Sequence, residues 1–220
     1  MTLPNKFRNE SERVIASYDY TDLAAATGFI KYYGSNTADN SSKNYILNTN
    51  ATFSNDLFTE VNVGGTTGYE KGPDLDFDLA AFTMPQTIKG DALVVATMGF
   101  RNATSTYTAN SYIIARVRKW DGSSETEIAS SQSETYTEST HGDEVSKTKS
   151  LTITIPQTQF KVGDVLRLTI EVWGDSADPN NLLLGLTHSP QNLEGSQIKP
   201  STQDSETTQL LFFCPFKLDL

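Results

Sequence analysis

Residues 161–173 read Lys161-Val162-Gly163-Asp164-Val165-Leu166-Arg167-Leu168-Thr169-Ile170-Glu171-Val172-Trp173. Leu166, Leu168, Ile170 and Val172 alternate with Arg167, Thr169, Glu171 and Trp173. A β-strand sends successive side chains to opposite faces, so the pattern describes a strand with one apolar and one wetter face. Burying the four aliphatic side chains contributes about 6–12 kcal/mol before chain entropy is counted. Gly163-Asp164 is a turn signal that fixes where the strand begins.

The same alternation recurs along the chain. Phe29 to Tyr33, Tyr45 to Leu47, Leu57 to Val63, Leu75 to Ala81, Tyr112 to Trp120 and Leu151 to Ile155 all read as strands, separated by Gly-, Asn-, Ser- and Asp-rich turns. Asp121-Gly122 is a hairpin signal after Trp120. Pro156 is expected to end the Leu151–Ile155 strand. Ala92 to Phe100 is apolar on both faces, which predicts a central strand covered on each side. A Ser/Thr/Glu-rich return strand or loop spans Glu125 to Lys149. Leu210, Phe212, Cys214, Phe216 and Leu218 form one face of a last strand, and Pro215 points to an edge position or bulge there. Asp19 to Ala26 is the one candidate for a short helix.

Pro85-Gln86-Thr87-Ile88-Lys89-Gly90-Asp91 echoes Pro156-Gln157-Thr158-Gln159-Phe160-Lys161-Val162-Gly163-Asp164. Shared turn chemistry accounts for the echo; so do two equivalent corners of a pseudo-symmetric double Greek key. The expected fold is all-β: a two-sheet antiparallel β-sandwich, jelly-roll-like. An N-terminal arm covers residues 1–26, and a single β domain covers 27–220.

Composition bounds the rest. A chain of 220 residues suits one large sandwich and buries a core without disulfides. The net charge of −10 argues against nucleic acid and anionic membranes as partners. Cys214, the single cysteine, excludes an intramolecular disulfide and a thiolate metal cluster within one chain. The opening residues lack an apolar core, so no secretory signal is expected, and no apolar run reaches membrane-spanning length.

Chemistry-bearing motifs are sparse. Gly64-Gly65-Thr66-Thr67-Gly68 lacks the spacing and following helix of a dinucleotide fingerprint and reads as a loop. His141 and His188 lie in polar sequence and read as surface loop histidines. Cys214, among Phe212, Phe213 and Phe216, reads as a buried, inert thiol. Asp74, Asp76 and Asp78 begin like a calcium loop, but Leu79 and Pro85 stand where its glycine and final acid belong; a strand places all three on one solvent face. Asp175, Asp178, Asn180 and Asn181 around Pro179 suit a turn as well as a calcium site. Asn9, Asn40, Asn50 and Asn102 each start a glycosylation sequon, expected in any chain this rich in Asn, Ser and Thr. Tyr107, Tyr112, Trp120 and Trp173 offer either sheet packing or a sugar-stacking platform. No catalytic, cofactor-binding or metal residue is assigned, no cofactor is expected, and the expectation is of a protein that is not an enzyme.

The segment Pro156-Gln157-Thr158-Gln159-Phe160-Lys161-Val162-Gly163-Asp164-Val165-Leu166-Arg167-Leu168 and the ending Cys214-Pro215-Phe216-Lys217-Leu218-Asp219-Leu220 resemble small jelly-roll virion proteins of tailed phages, of the capsid decoration or cement type. In general pattern the likeness runs from Phe29 to Leu220. It implies a jelly roll, self-association into a homo-oligomer, docking on a major capsid protein or other virion component, and location in the virion after synthesis in the host cytoplasm. It brings no catalytic motif. The N-terminal arm and the polar stretch from His188 to Glu206 are the expected contact segments. The rival reading is a carbohydrate-binding or receptor-binding β-sandwich module.

Overall fold

The computed structural model describes residues 16–17, 27–37, 44–51, 58–63, 68–102, 108–138, 145–176, 182–188 and 209–217. Their regular structure is entirely β: β1 (Ala16–Ser17), β2 (Thr27–Asn36), β3 (Tyr45–Asn48), β4 (Phe58–Val63), β5 (Glu70–Asp78), β6 (Gln86–Asn102), β7 (Ala109–Trp120), β8 (Glu125–Gln132), β9 (Tyr136–Glu138), β10 (Val145–Phe160), β11 (Val165–Ser176), β12 (Leu182–Thr187) and β13 (Leu210–Lys217). The all-β expectation holds. The candidate helix at Asp19 to Ala26 lies outside the described residues, as do most of the arm and the stretch from 189 to 208.

Turn chemistry sets the boundaries of β11. Gly163 adopts φ 91°, which a side chain would strain. The Asp164 carboxylate accepts a 2.6 Å hydrogen bond from the Lys161 backbone N–H, closing the turn. Gly122, at φ 93°, does the same for the β7–β8 hairpin, and Asp121 accepts backbone N–H bonds from Ser123 and Ser124 at 2.9 and 2.8 Å.

The strands form one hydrogen-bonded ladder in the order β4-β12-β6-β13-β2-β3-β5-β11-β7-β8, with β10 added to β6, β9 to β7 and β1 to β2. Pairing is antiparallel except between β3 and β5, which meet in parallel at the single bridge Ile46–Asp78. The ladder folds over at that corner, so β12 faces β5 and β11. Gly72 and Gly174 make the close approach possible: a Cβ on Gly72 would lie 2.6 Å from Leu184 Cβ, and one on Gly174 2.6 Å from Leu184 Cδ2. Between the two layers lie Phe77, Met98, Ile113, Ile153, Phe160, Leu166, Leu168, Ile170, Leu184 and Phe212, all fully buried.

Two expectations change and a third is refined. Pro156 does not end its strand: β10 runs on to Phe160, and the proline sits at a register shift between Ile155 and Thr158. Its missing N–H is tolerated there because, among the described residues, β10 pairs with β6 alone. Gly90-Asp91 is not a corner but lies inside β6, where Gly90 adopts φ 122° opposite Ile155 at the bulge. The two echoing segments are therefore antiparallel neighbours, with Phe160 opposite Gln86 and Thr158 opposite Ile88. Finally, Glu125 to Lys149 resolves into β8, β9 and the start of β10.

Pro215 lies in an inner strand, paired with Phe29 of β2, and not at an edge of the ladder. β13 pairs with β6 only from Leu210 to Phe213, and the proline follows once that side is open. Cys214 is buried, 3% exposed, with its thiol pushed well above the usual range by burial. Only a thiolate attacks disulfide reagents. Ellman's reagent is therefore expected to leave the folded protein unlabelled over hours and to titrate one thiol at once in denaturant; prompt labelling of the native protein would contradict this placement.

Candidate functional site

The outward face of β5, β11, β7 and β8 gathers most of the polar chemistry of the described residues. Register sets its rows. Lys71, Trp173 and Tyr112 lie side by side, then Asp74, Glu171 and Ile114, then Asp76, Thr169 and Arg116, then Asp78, Arg167 and Arg118. The sequence expects this side of β11 to be wet. Instead Thr169 is fully buried and Glu171 only 4% exposed. Long neighbouring side chains cover them, because on a four-stranded face each short polar residue is flanked by an arginine or an aromatic ring.

Glu171 is the hub. Its carboxylate accepts hydrogen bonds from Arg116 Nε at 3.0 Å and Nη2 at 3.3 Å, and from Trp173 Nε1 at 2.8 Å. Burial pushes the Glu171 carboxyl up, but these donors and the nearby Lys71 outweigh it and hold it below the usual range. Arg116 also reaches Glu127 at 3.0 Å. Arg167 and Arg118 stand directly opposite each other, a like-charge pair that needs neutralising. Asp78 does so through a fork with Arg167 Nε and Nη2 at 2.6 and 2.8 Å, and Glu125 bridges both arginines at 3.0 Å. Asp76 accepts from Thr169 Oγ1 at 2.6 Å and from Arg167 at 3.3 Å. The guanidinium side chains are 19–24% exposed, whereas Asp74, Asp76, Asp78 and Glu127 are 38–41% exposed. The guanidinium groups thus lie low in the sheet with carboxylates above them, and Lys71, 41% exposed and paired with Asp74, is the outward cation of the face.

An aromatic row borders this network. Tyr69 meets Tyr112 at 4.9 Å between ring centres, and Tyr112 lies nearly parallel to Trp173 at 6.4 Å. Beside the single β3–β5 bridge lies an open hollow of about 540 Å³ lined by Thr37, Tyr45, Ile46, Asp74, Asp76 and Arg167 among others.

The residues singled out in the sequence fare differently. Asp74, Asp76 and Asp78 do lie on one outward strand face, each engaged by a cation: Asp74 by Lys71 at 2.6 Å, the others by Arg167. No group of three or more His, Cys, Asp or Glu placed to hold a metal occurs among the described residues. His188 is corrected from a surface to a fully buried residue, its Nε2 3.2 Å from Thr59 Oγ1 and its ring edge-on to Tyr45 at 5.2 Å. It directly follows β12, whose apolar run carries it inward. Trp120 is covered by the Arg167 guanidinium at 5.7 Å. Asp175 accepts from the Gly68 backbone N–H at 3.1 Å, and Asn50 donates its backbone N–H to Asn48 Oδ1 at 3.2 Å. His141, Tyr107, Asp178, Asn180, Asn181, Asn9 and Asn40 lie outside the described residues. The Arg116–Glu171–Trp173 cluster was missed. Alternation puts Glu171 and Trp173 on one face, but only the cross-strand register brings Arg116 to them.

Fold and face together define an all-β protein whose layers pack on one core and whose outer sheet carries an ordered ion-pair lattice. No family model matches the chain, and no curated protein does. Solved structures that match include a CocE/NonD family hydrolase from Staphylococcus aureus, 10% identical over 84% of this chain and 41% of that one, TM-score 0.36. An aminopeptidase from a marine-sediment Thaumarchaeota archaeon is 8% identical over 82% and 36%, TM-score 0.44. A pentameric capsid protein isolated from metagenomic phage sequences is 14% identical over 84% and 88%, TM-score 0.16. The chain spans about two-fifths of the length of the two enzymes. The likeness to capsid proteins is weak, and the expectation that the chain is not an enzyme is withdrawn, since hydrolytic enzymes stand among its structural matches. At these scores no activity is transferred from either group.

Proposed function

We propose that this chain is a structural virion protein, a jelly-roll module that decorates or cements a phage capsid and is located in the virion. The observation that carries the reading is an open apolar face on the sheet opposite the ion-pair lattice. The pairings of β2, β13 and β6 place Lys31, Phe213 and Leu93 in one row and Tyr33, Leu211 and Val95 in the next, with Phe29 beside Pro215. Phe29 and Leu93 are 38% and 37% exposed. Lys31 lies across the Tyr33 and Phe213 rings, at 4.5 and 6.0 Å from their centres. The sequence expects both faces of Ala92 to Phe100 to be covered, and contiguous outward apolar side chains mark interaction surfaces. A capsid shell, as major capsid protein, or a sister copy of this chain in a homo-oligomer would supply that cover. The Pro156–Leu168 and Cys214–Leu220 resemblance points the same way.

The test is sedimentation of purified protein with undecorated phage capsids. Binding and added capsid stability are expected. Leu93→Glu, which places a charge on the exposed row without touching the core, should weaken binding about ten-fold or more. Failure of the unaltered protein to cosediment with capsids would sink the reading.

A further inference from the structure

The ion-pair face carries a second kind of surface that docking through the apolar face leaves unused. Tyr69, Tyr112 and Trp173 form a continuous aromatic row on β7 and β11 and in the segment leading into β5. Tyr69 is 42% exposed, among the most exposed large apolar residues of the described chain. Tyr112 and Trp173 are tilted only 9° from each other, with centres farther apart than in closely overlapped rings. Beside the row stand the exposed Lys71 and Asp74, with Glu171 buried beneath them, and past Asp74 the surface drops into the hollow at the β3–β5 corner.

We infer that this strip, from Tyr69 and Trp173 across Asp74 into the corner hollow, is a binding site for neutral saccharides. Pyranose rings have flat C–H faces that suit aromatic side chains, and edges of paired hydroxyls that suit carboxylates and ammonium groups. Both kinds of partner stand here on one sheet surface. A carboxylate offers about four acceptor positions, and Lys71 takes one of those on Asp74. The polar groups are held in place before any ligand arrives: Lys71 by Asp74, Glu171 by Arg116, and Trp173 by its N–H bond to Glu171. Rigid side chains lose little freedom on binding, which favours a weakly interacting ligand such as a sugar. Charge selects within the class. Around the hollow Asp74, Asp76 and Asp78 outnumber Arg167, and this acidic excess repels uronic acids, sialylated glycans and phosphates and leaves uncharged sugars as the ligands that fit.

The inference is tested by calorimetric titration of the full chain with α- and β-linked glucose and galactose tetrasaccharides, alongside oligogalacturonate and sialyllactose. At least one neutral tetrasaccharide is expected to bind, with the anionic probes about ten-fold weaker or more. Tyr69→Ala, at an exposed ring that carries no hydrogen-bond network, should weaken binding about ten-fold. Trp173→Ala should weaken it further, while Leu93→Glu on the opposite sheet should leave it unchanged. Should Trp173→Ala fail to fold, Tyr69→Ala decides alone, with its melting curve as the control. The inference is overturned if no neutral saccharide binds at about 10 mM, if anionic probes bind as well as neutral ones, or if Tyr69→Ala binds like the unaltered protein. Each of these results leaves the capsid reading standing, because cosedimentation rests on the other face.

Discussion

Glu171→Ala is expected to destabilise the fold by about 3 kcal/mol, because it strands the partly covered Arg116 guanidinium and an indole N–H together. In the native protein Arg116 forks onto the Glu171 carboxylate and Trp173 donates to it. Breaking one half of a buried ion pair costs about 3–5 kcal/mol. The low end applies here because Arg116 is 24% exposed and keeps a second partner in Glu127. Removing both charges with Arg116→Met and Glu171→Leu should recover part of the loss, since the hydrophobic pair removes the stranded charge and leaves only the Trp173 N–H without its acceptor. Urea unfolding of the two single variants and the double variant measures this. A Glu171→Ala loss below about 1 kcal/mol would mean that the lattice is decoration.

The same carboxyl sets a pH dependence. Its folded-state value lies below that of an ordinary glutamate, so its contribution is fully present above about pH 4.3 and is lost as pH falls through the folded value. Asp164 adds in the same direction, held low by the Lys119 ammonium and the Lys161 backbone N–H. Stability should therefore decline on acidification below about pH 4, and Glu171→Gln should flatten that decline.

Phe77→Ala is the second large effect, expected at about 3–5 kcal/mol. Phe77 is fully buried on β5, with the Tyr45 ring of β3 at 5.3 Å and Gly34 of β2 against its edge. Backbone pairing between β3 and β5 amounts to the Ile46–Asp78 bridge, so side-chain packing holds this corner. Phe77→Leu should lose much less, because it refills most of the volume. Denaturant melts of both variants distinguish loss of packing volume from loss of an aromatic contact. Equal losses for the two would point to the ring itself.

Much of the fold was legible because period-two alternation is a local signal. Leu166, Leu168, Ile170 and Val172 are buried to 1% exposure or less, on the face their spacing selects. The errors arise where pairing partners decide. Pro156 and Gly90 look like strand ends when read alone, yet a bulge facing a left-handed glycine lets both strands continue. His188 looks exposed from its polar neighbours downstream, whereas its position directly after Leu182–Thr187 carries it under Tyr45. The candidate site was legible only in part. Trp173, Tyr112 and the three aspartates could be picked out by type, but Arg116 and Glu171 are 55 residues apart and meet only through register.

The position of β13 has a consequence for how the chain acquires its shape. Residues 210–217 lie between β6 and β2, an inner rung of the ladder made from a late segment of the chain. Until that segment emerges from the ribosome, β2 and β6 have no bridge between them. Folding must therefore wait, and the waiting chain needs protection from aggregation, as expected for a topology dominated by sequence-distant pairing.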